Sequence, residues 1–392
     1  MKFKKEDKIN RKRPRLPLNC LRISVSCLVV LLLVSLSFAQ NLPRPLNVIR
    51  ITPHPSDPNI LYALDESHGV FKSVDQGKTW VLKNTGLDQL PEILPLSLHP
   101  EFFTELAMGK TNPNVLFVVK NWLIYRSEDG AETWTFSGKG AESFVYGSNQ
   151  ATYFINEVVT HPTDAQVVYA GTIVGGATGG VFQSVDGGRT WTPLAGDTVP
   201  GSGLGNDAAP IVIDPLDPLR MYAGGVHSIF FRSTDAGLHW ERRDPLVGVE
   251  GAIWPDDGLG VNPANPAEVF VGVGIFAPFQ AVKSFVSKDF GASWTELPQL
   301  KGAIRSLQFA PSFPNRVYAV VRTRPEFHPS TPGSFLLFRS DDSGVTWAEL
   351  GSSPFEFQSL AVDPFDPNHL YVGTQHRGVI QSFDGGDSFI TK

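Results

Sequence analysis

One eight-residue pattern, Ser-x-Asp-x-Gly-x-Thr-Trp, constrains this chain more than any other feature. It stands intact at 73–80, 184–191 and 340–347 and returns in looser form at 127–134, 233–240, 287–294 and 382–389. Its serines lie 54, 57, 49, 54, 53 and 42 residues apart. Seven registered copies require one supersecondary unit stacked on itself, because a unit of roughly 50 residues does not bury its apolar face alone.

A second motif precedes each copy. Its clearest form is Val362-Asp363-Pro364-Phe365-Asp366-Pro367-Asn368-His369-Leu370-Tyr371-Val372-Gly373, echoed at 54–63, 161–171, 214–224, 262–272 and 310–319. The second repeat fits if 105–108 is its first strand and 111–114 its turn. Short runs such as Ile211-Val212-Ile213 read as strands. The Asp-Pro and Asn-Pro steps after them read as turns, since proline fixes φ and has no N–H to donate. A strand ending Tyr-x-Gly, a loop and a strand ending Phe-x-Ser follow. The Asp-x-Gly turn then reverses the chain, its glycine allowing positive φ, into a last strand that starts Thr-Trp. Four strands every ~50 residues is the signature of a propeller blade. The expected fold is all-β: a single seven-bladed β-propeller over residues 40–392, with four antiparallel strands per blade and the box in the turn between third and fourth strands. No strand should pass between the ends of the ring unless 41–45 adds one, so the first and last blades should meet by packing.

At these residues the sequence resembles the Asp-box, or BNR-repeat, family found in sialidases, sortilin-type Vps10 receptors, tandem-propeller xyloglucanases and Ycf48-like photosystem assembly factors. The resemblance runs from about Leu46 to Phe389. It implies the propeller, and a structural role away from any active site for the box aspartates Asp75, Asp129, Asp186, Asp235, Asp289, Asp342 and Asp384. No member of the family is matched. Sialidases need an arginine triad, a Phe-Arg-Ile-Pro start and a tyrosine nucleophile, and Val48-Ile49-Arg50-Ile51-Thr52-Pro53 echoes the start only vaguely. Xyloglucanases of this type place catalytic aspartates in a cleft between two propellers, whereas one ring is read here. Vps10 receptors add a cysteine-rich module. Ycf48-like proteins share seven blades but more often read Gly-Thr-Ile-Leu where this chain has Gly69-Val70-Phe71 and Gly180-Val181-Phe182.

Charge is distributed unevenly. The chain has 33 Lys and Arg against 39 Asp and Glu, a formal charge of −6. Nine of the basic and two of the acidic residues fall in the first 39, which leaves 24 basic against 37 acidic, or −13, for the rest. Such a body repels nucleic-acid phosphates and anionic lipid, which argues against both as partners. The basic stretch leads into an apolar run at 23–36 and then Ser37-Phe38-Ala39, the form of a secretory signal peptide over residues 1–39. The alternative is an uncleaved anchor, for which the run is short against ~30 Å of hydrocarbon. Cys20 and Cys27 lie inside that segment, so the mature chain should have no disulfide, cysteine nucleophile or thiolate metal site. An exported protein, periplasmic or extracellular, is expected, as a monomer without stable membrane insertion.

Variable loops on a rigid scaffold are where function concentrates. The segments that vary in length are the links between blades and the loops between second and third strands, all expected on the face opposite the boxes. Two tryptophans outside the boxes, Trp122 and Trp254, fall there, and Trp254 precedes Asp256 and Asp257. An aromatic beside carboxylates is a sugar-binding arrangement or a gap filler between blades. In the loop 322–328, Arg322, Arg324 and His328 form either an anion clamp or a solvated turn. His68 and His376 face each other across the expected closure, but spacing offers no third metal ligand, so neither metal nor cofactor is expected. The glycine-rich loop 171–180 has no following helix to serve a phosphate.

Three functions remain open. The first is an exported, non-enzymatic propeller that binds or scaffolds a protein or glycan through the variable face. The second is a glycoside hydrolase, sialidase- or xyloglucanase-like, with a carboxylate pair drawn from Asp256, Asp257, Asp65, Glu66, Glu142 or Asp207. The third is a Ycf48-like assembly factor.

Overall fold

The computed structural model describes residues 45–88, 102–141, 154–173, 180–196, 202, 204, 208–225, 230–243, 252–253, 258–274, 283–322, 335–353 and 357–390. Residues 1–39, read from the sequence as a signal peptide, lie outside them. The described chain forms seven antiparallel meanders, each hydrogen-bonded in chain order. Blade 1 is Val48–Pro53, Leu61–Asp65, Gly69–Ser73 and Val81–Leu82, and blade 2 is Phe103–Met108, Leu116–Lys120, Leu123–Ser127 and Thr135–Phe136. Blade 3 is Ile155–Thr160, Val168–Thr172, Gly180–Ser184 and Thr192–Gly196; blade 4 is Ile211–Ile213, Met221–Ala223, Phe231–Ser233 and Glu241–Arg242. Blade 5 has its inner strand in two pieces, Ala252–Ile253 and Leu259–Val261, both paired with Val269–Gly274, before Lys283–Ser287 and Thr295–Glu296. Blade 6 is Ala303–Ala310, Phe313–Arg322, Phe335–Ser340 and Ala348–Ser353. Blade 7 is Phe357–Val362, Leu370–Thr374 and Gly378–Ser382, its fourth strand reduced to a bridge from Ile390 to Gln381. Among the described residues the one helical element is a 3-10 turn at Pro298–Leu300, and no helix is long and apolar enough to cross a membrane.

The second strands read as near-continuous apolar runs because both faces of a blade are covered by its neighbours. Leu61–Asp65, Leu116–Lys120, Val168–Thr172 and Leu370–Thr374 are buried at every position. Apolar clusters fill the gaps between successive blades, such as Tyr62, Leu64 and Val70 against Leu106, Leu116 and Trp134. The glycine two residues after the buried aromatic of the second strand is required by this packing, not by a turn. A Cβ on Gly171 would lie 2.1 Å from the Ala208 carbonyl oxygen, and one on Gly272 would lie 2.0 Å from that of Ile304.

Among the described residues blades 7 and 1 meet by packing and hydrogen bonds, and residues 41–44, which the sequence reading allowed to add a strand, lie outside them. Gly378 N–H donates to Leu46 O at 2.8 Å, Ser359 Oγ to Val48 O at 3.5 Å and Gln381 Nε2 to Gln76 O at 3.0 Å, all from blade 7 to blade 1.

Candidate functional site

Each box is the same hydrogen-bonded knot. In all seven, the aspartate Oδ1 accepts from the serine hydroxyl two residues earlier, at 2.7–2.9 Å, and from the backbone N–H four residues later, at 2.8–2.9 Å. Its Oδ2 takes the Thr or Ser hydroxyl or, in blade 4, lies 2.7 Å from His239 Nδ1. These donors favour the charged form. The Ser293 hydroxyl is the main cause in Asp289, which is held at about 2. In Asp75 slight burial pushes the carboxyl up, but Thr79 and Ser73 outweigh it and also hold it at about 2.

The box also leans on the proline turn. The residue after each aspartate (Gln76, Gly130, Gly187, Ala236, Phe290, Ser343, Gly385) donates its N–H to the carbonyl of Asn59, Asn114, Gln166, Leu219, Ala267, Asn315 or Asn368 respectively. Both turns therefore lie at one end of every blade, and the loops of variable length are left for the other. Box tryptophans 134, 191 and 294 donate Nε1–H to Lys83, Ser137 and Arg243 carbonyls of the preceding blade. Every box carboxylate is thus engaged in holding its own turn. The chain is a seven-bladed β-propeller with this turn in every blade.

At the other end of the propeller each described candidate sits in a turn or at a strand end of its own blade. Trp122, half-buried at a positive φ of 65° in the turn between second and third strands of blade 2, packs edge-on against Phe102 at 4.7 Å and Phe154 at 5.2 Å. Two neighbouring rings thus already occupy its surroundings. His68 is exposed, with Nδ1 2.7 Å from the buried Asp65, whereas His376 stands exposed at a φ of 72° in the corresponding turn of blade 7. Among the described residues no three His, Cys, Asp or Glu side chains gather to hold a metal. Arg322 is half-buried at the end of its strand. Trp254, Asp256, Asp257, Arg324, His328, Glu142 and Asp207 lie outside the described residues.

The described carboxylates at this end serve as acceptors. Asp65 receives the N–H groups of Leu46 and Asn47 at 2.7 and 2.9 Å and those of Ser67 and His68 at 3.0 Å. Burial pushes its carboxyl up, but these bonds and the His68 ring outweigh it and hold it below the usual range. Glu66 accepts from Asn47 Nδ2 at 2.5 Å. Glu105, on the inner strand of blade 2, pairs with Arg50 of blade 1 at 3.0 Å with both side chains nine-tenths buried. Glu157 in blade 3 accepts the N–H of Ile211 in blade 4 at 2.7 Å. Sequence reading missed these two inter-blade contacts. The available signal was a charged residue at the same register of three successive apolar inner strands.

No family model matches the chain. A xyloglucanase of Paenibacillus sp. is 26% identical over 222 residues, covering 51% of this chain and 18% of the relative. An oligoxyloglucan-reducing end-specific xyloglucanase of Emericella nidulans is 25% identical over 258 residues, covering 61% of this chain and 29% of the relative. The chain thus spans under a third of the length of these two relatives. Among solved structures, the Niastella koreensis GH74 enzyme superposes with a TM-score of 0.66 at 15% identity, covering 89% of this chain and 54% of that one. YCF48 bound to a D1 peptide superposes with a TM-score of 0.57 at 15% identity, over 88% of this chain and 95% of that one. YCF48 from Cyanidioschyzon merolae is alike, with a TM-score of 0.57 at 14% identity over 87% and 97%. These likenesses show a shared fold.

Proposed function

We propose that the propeller is an exported binding or scaffold module that takes a protein or glycan ligand on its variable face. The observation that carries this reading is the use of the described carboxylates there. Asp65, Glu66, Glu105 and Glu157 are each held as acceptors by neighbouring donors, and Asp65 is pushed toward the ionised form, whereas a hydrolase acid needs a raised pKa. The structural likeness to YCF48, which is described bound to a D1 peptide, over 88% of this chain and 95% of that one supports the same reading.

The second reading, a glycoside hydrolase, is favoured by the xyloglucanase sequence relatives and rests on Asp256 and Asp257 beside Trp254. Binding of the full chain to xyloglucan and other polysaccharides, with released sugars measured in the same samples, separates the two. A binder retains glycan without product, and Trp254→Ala lowers its affinity by about 1–3 kcal/mol through lost apolar contact. A hydrolase releases product, and Asp256→Asn or Asp257→Asn abolishes turnover with binding retained. Product release by the wild-type chain overturns the binding reading.

A further inference from the structure

Across the box face, one blade grips the next through a repeated contact. The side chain just before the box serine, or the tyrosine of the second strand, donates to the carbonyl of the residue after the next box aspartate. Lys72 Nζ and Tyr62 OH reach Gly130 O at 2.9 and 3.2 Å, and Tyr169 OH reaches Ala236 O at 3.4 Å. Arg232 Nη1 reaches Phe290 O at 3.2 Å, Arg339 Nη1 reaches Gly385 O at 3.2 Å and Gln381 Nε2 reaches Gln76 O at 3.0 Å.

The gap between blades 2 and 3 is built differently, and so is that between blades 5 and 6, where Phe270 covers Gly344 and Val286 precedes the box serine. Between blades 2 and 3, Phe117 stands at the tyrosine position, its ring so close over Gly188 that a Cβ there would lie 2.3 Å from Cε1. Arg126 stands at the cation position but turns to Glu128, which also receives Arg189 Nη2 at 2.7 Å. The Arg126 side chain is only 10% exposed, and its buried Nε has no hydrogen-bond partner. A cavity of 340 Å³ opens beside it, lined by Lys110, Asn112, His161, Asp164 and Gln166 as well as Arg126, Glu128 and Arg189.

We propose that this cavity is a second binding site, on the box face, for a monoanionic carboxylate ligand. Burying a guanidinium with an unused N–H is costly unless an acceptor arrives. The planar donor fork of Arg126, with the amides of Asn112 and Gln166, suits a carboxylate. Lys110, Arg126 and Arg189 against Glu128 and Asp164 leave at most one net positive charge, since desolvation of the Lys110 amine lowers its pKa, which suits a monoanion better than a dianion. The cavity volume admits a ligand the size of a single sugar acid.

Calorimetric titration of the full chain with sodium glucuronate, glucose and inorganic phosphate tests this. Glucuronate should bind, glucose should not, and phosphate should bind at least tenfold more weakly than glucuronate. Arg126→Gln should weaken glucuronate at least tenfold, whereas Arg339→Gln, at the same position in blade 6, should leave it unchanged. Lys110→Met, an exposed substitution, keeps the test valid if Arg126→Gln fails to fold, and should also weaken binding severalfold. Equal response to glucose and glucuronate, tighter binding of phosphate, or unchanged affinity in both Arg126→Gln and Lys110→Met overturns the proposal.

Discussion

Gln381 in the last blade donates its Nε2–H to the carbonyl of Gln76 in the first at 3.0 Å, across 305 residues of chain, while its Oε1 lies 3.2 Å from His369 Nε2. The same side chain thus joins the blade 7 core to the first box.

Deleting 381–392 removes this contact and the seventh box, and the ring should lose its cooperative melt. Gln381→Ala should cost about 1–3 kcal/mol in urea unfolding, since it strands the buried His369 partner and the Gln76 carbonyl. A truncated chain that melts like the full one would show that the closure is held elsewhere.

Trp191 is 2% exposed and donates to Ser137 O at 2.6 Å, so Trp191→Ala should cost about 3–5 kcal/mol through the inter-blade cavity it leaves. Asp186→Asn keeps the shape and loses only part of the acceptor set, for about 1–2 kcal/mol. Denaturant melts of the two variants check the order, and equal losses would contradict it.

Asp75, Asp289 and Asp384 lie at about 2 in the fold against an ordinary 3.8. A depressed folded pKa stabilises above the unfolded value and ceases to do so as pH falls through the folded one. The melting temperature should hold down to about pH 4 and then drop toward pH 2, as successive boxes take up protons. A drop complete by pH 5 would assign acid sensitivity to other groups.

Arg50→Ala removes the guanidinium that pairs with the buried Glu105 carboxylate, which should cost about 3–5 kcal/mol. The double variant Arg50→Met, Glu105→Leu should recover most of that stability in the same urea unfolding measurement, because neither partner is then left charged. Additive losses in the double variant would show that the two side chains act independently.

The blades and boxes were legible in the sequence because their causes are local. Proline turns, a serine and an aspartate two apart, and a following glycine set the backbone within a few residues, and repetition seven times leaves one register. Even so, the Asp-x-Gly pattern pointed to one left-handed residue per box, whereas each box has two in succession, the first of them glycine in three boxes and Gln76, Ala236, Phe290 or Ser343 in the other four. Those residue types do not favour positive φ, and the neighbouring hydrogen bonds impose it. The ring closure through Gln381, the Arg50–Glu105 pair and the diverted Arg126 were decided by tertiary structure. Each depends on which side chains meet across a gap between blades, at separations of 55 residues for Arg50 and Glu105 and 305 for Gln381 and Gln76. Contacts at that range follow from how the blades stack, which no local pattern encodes.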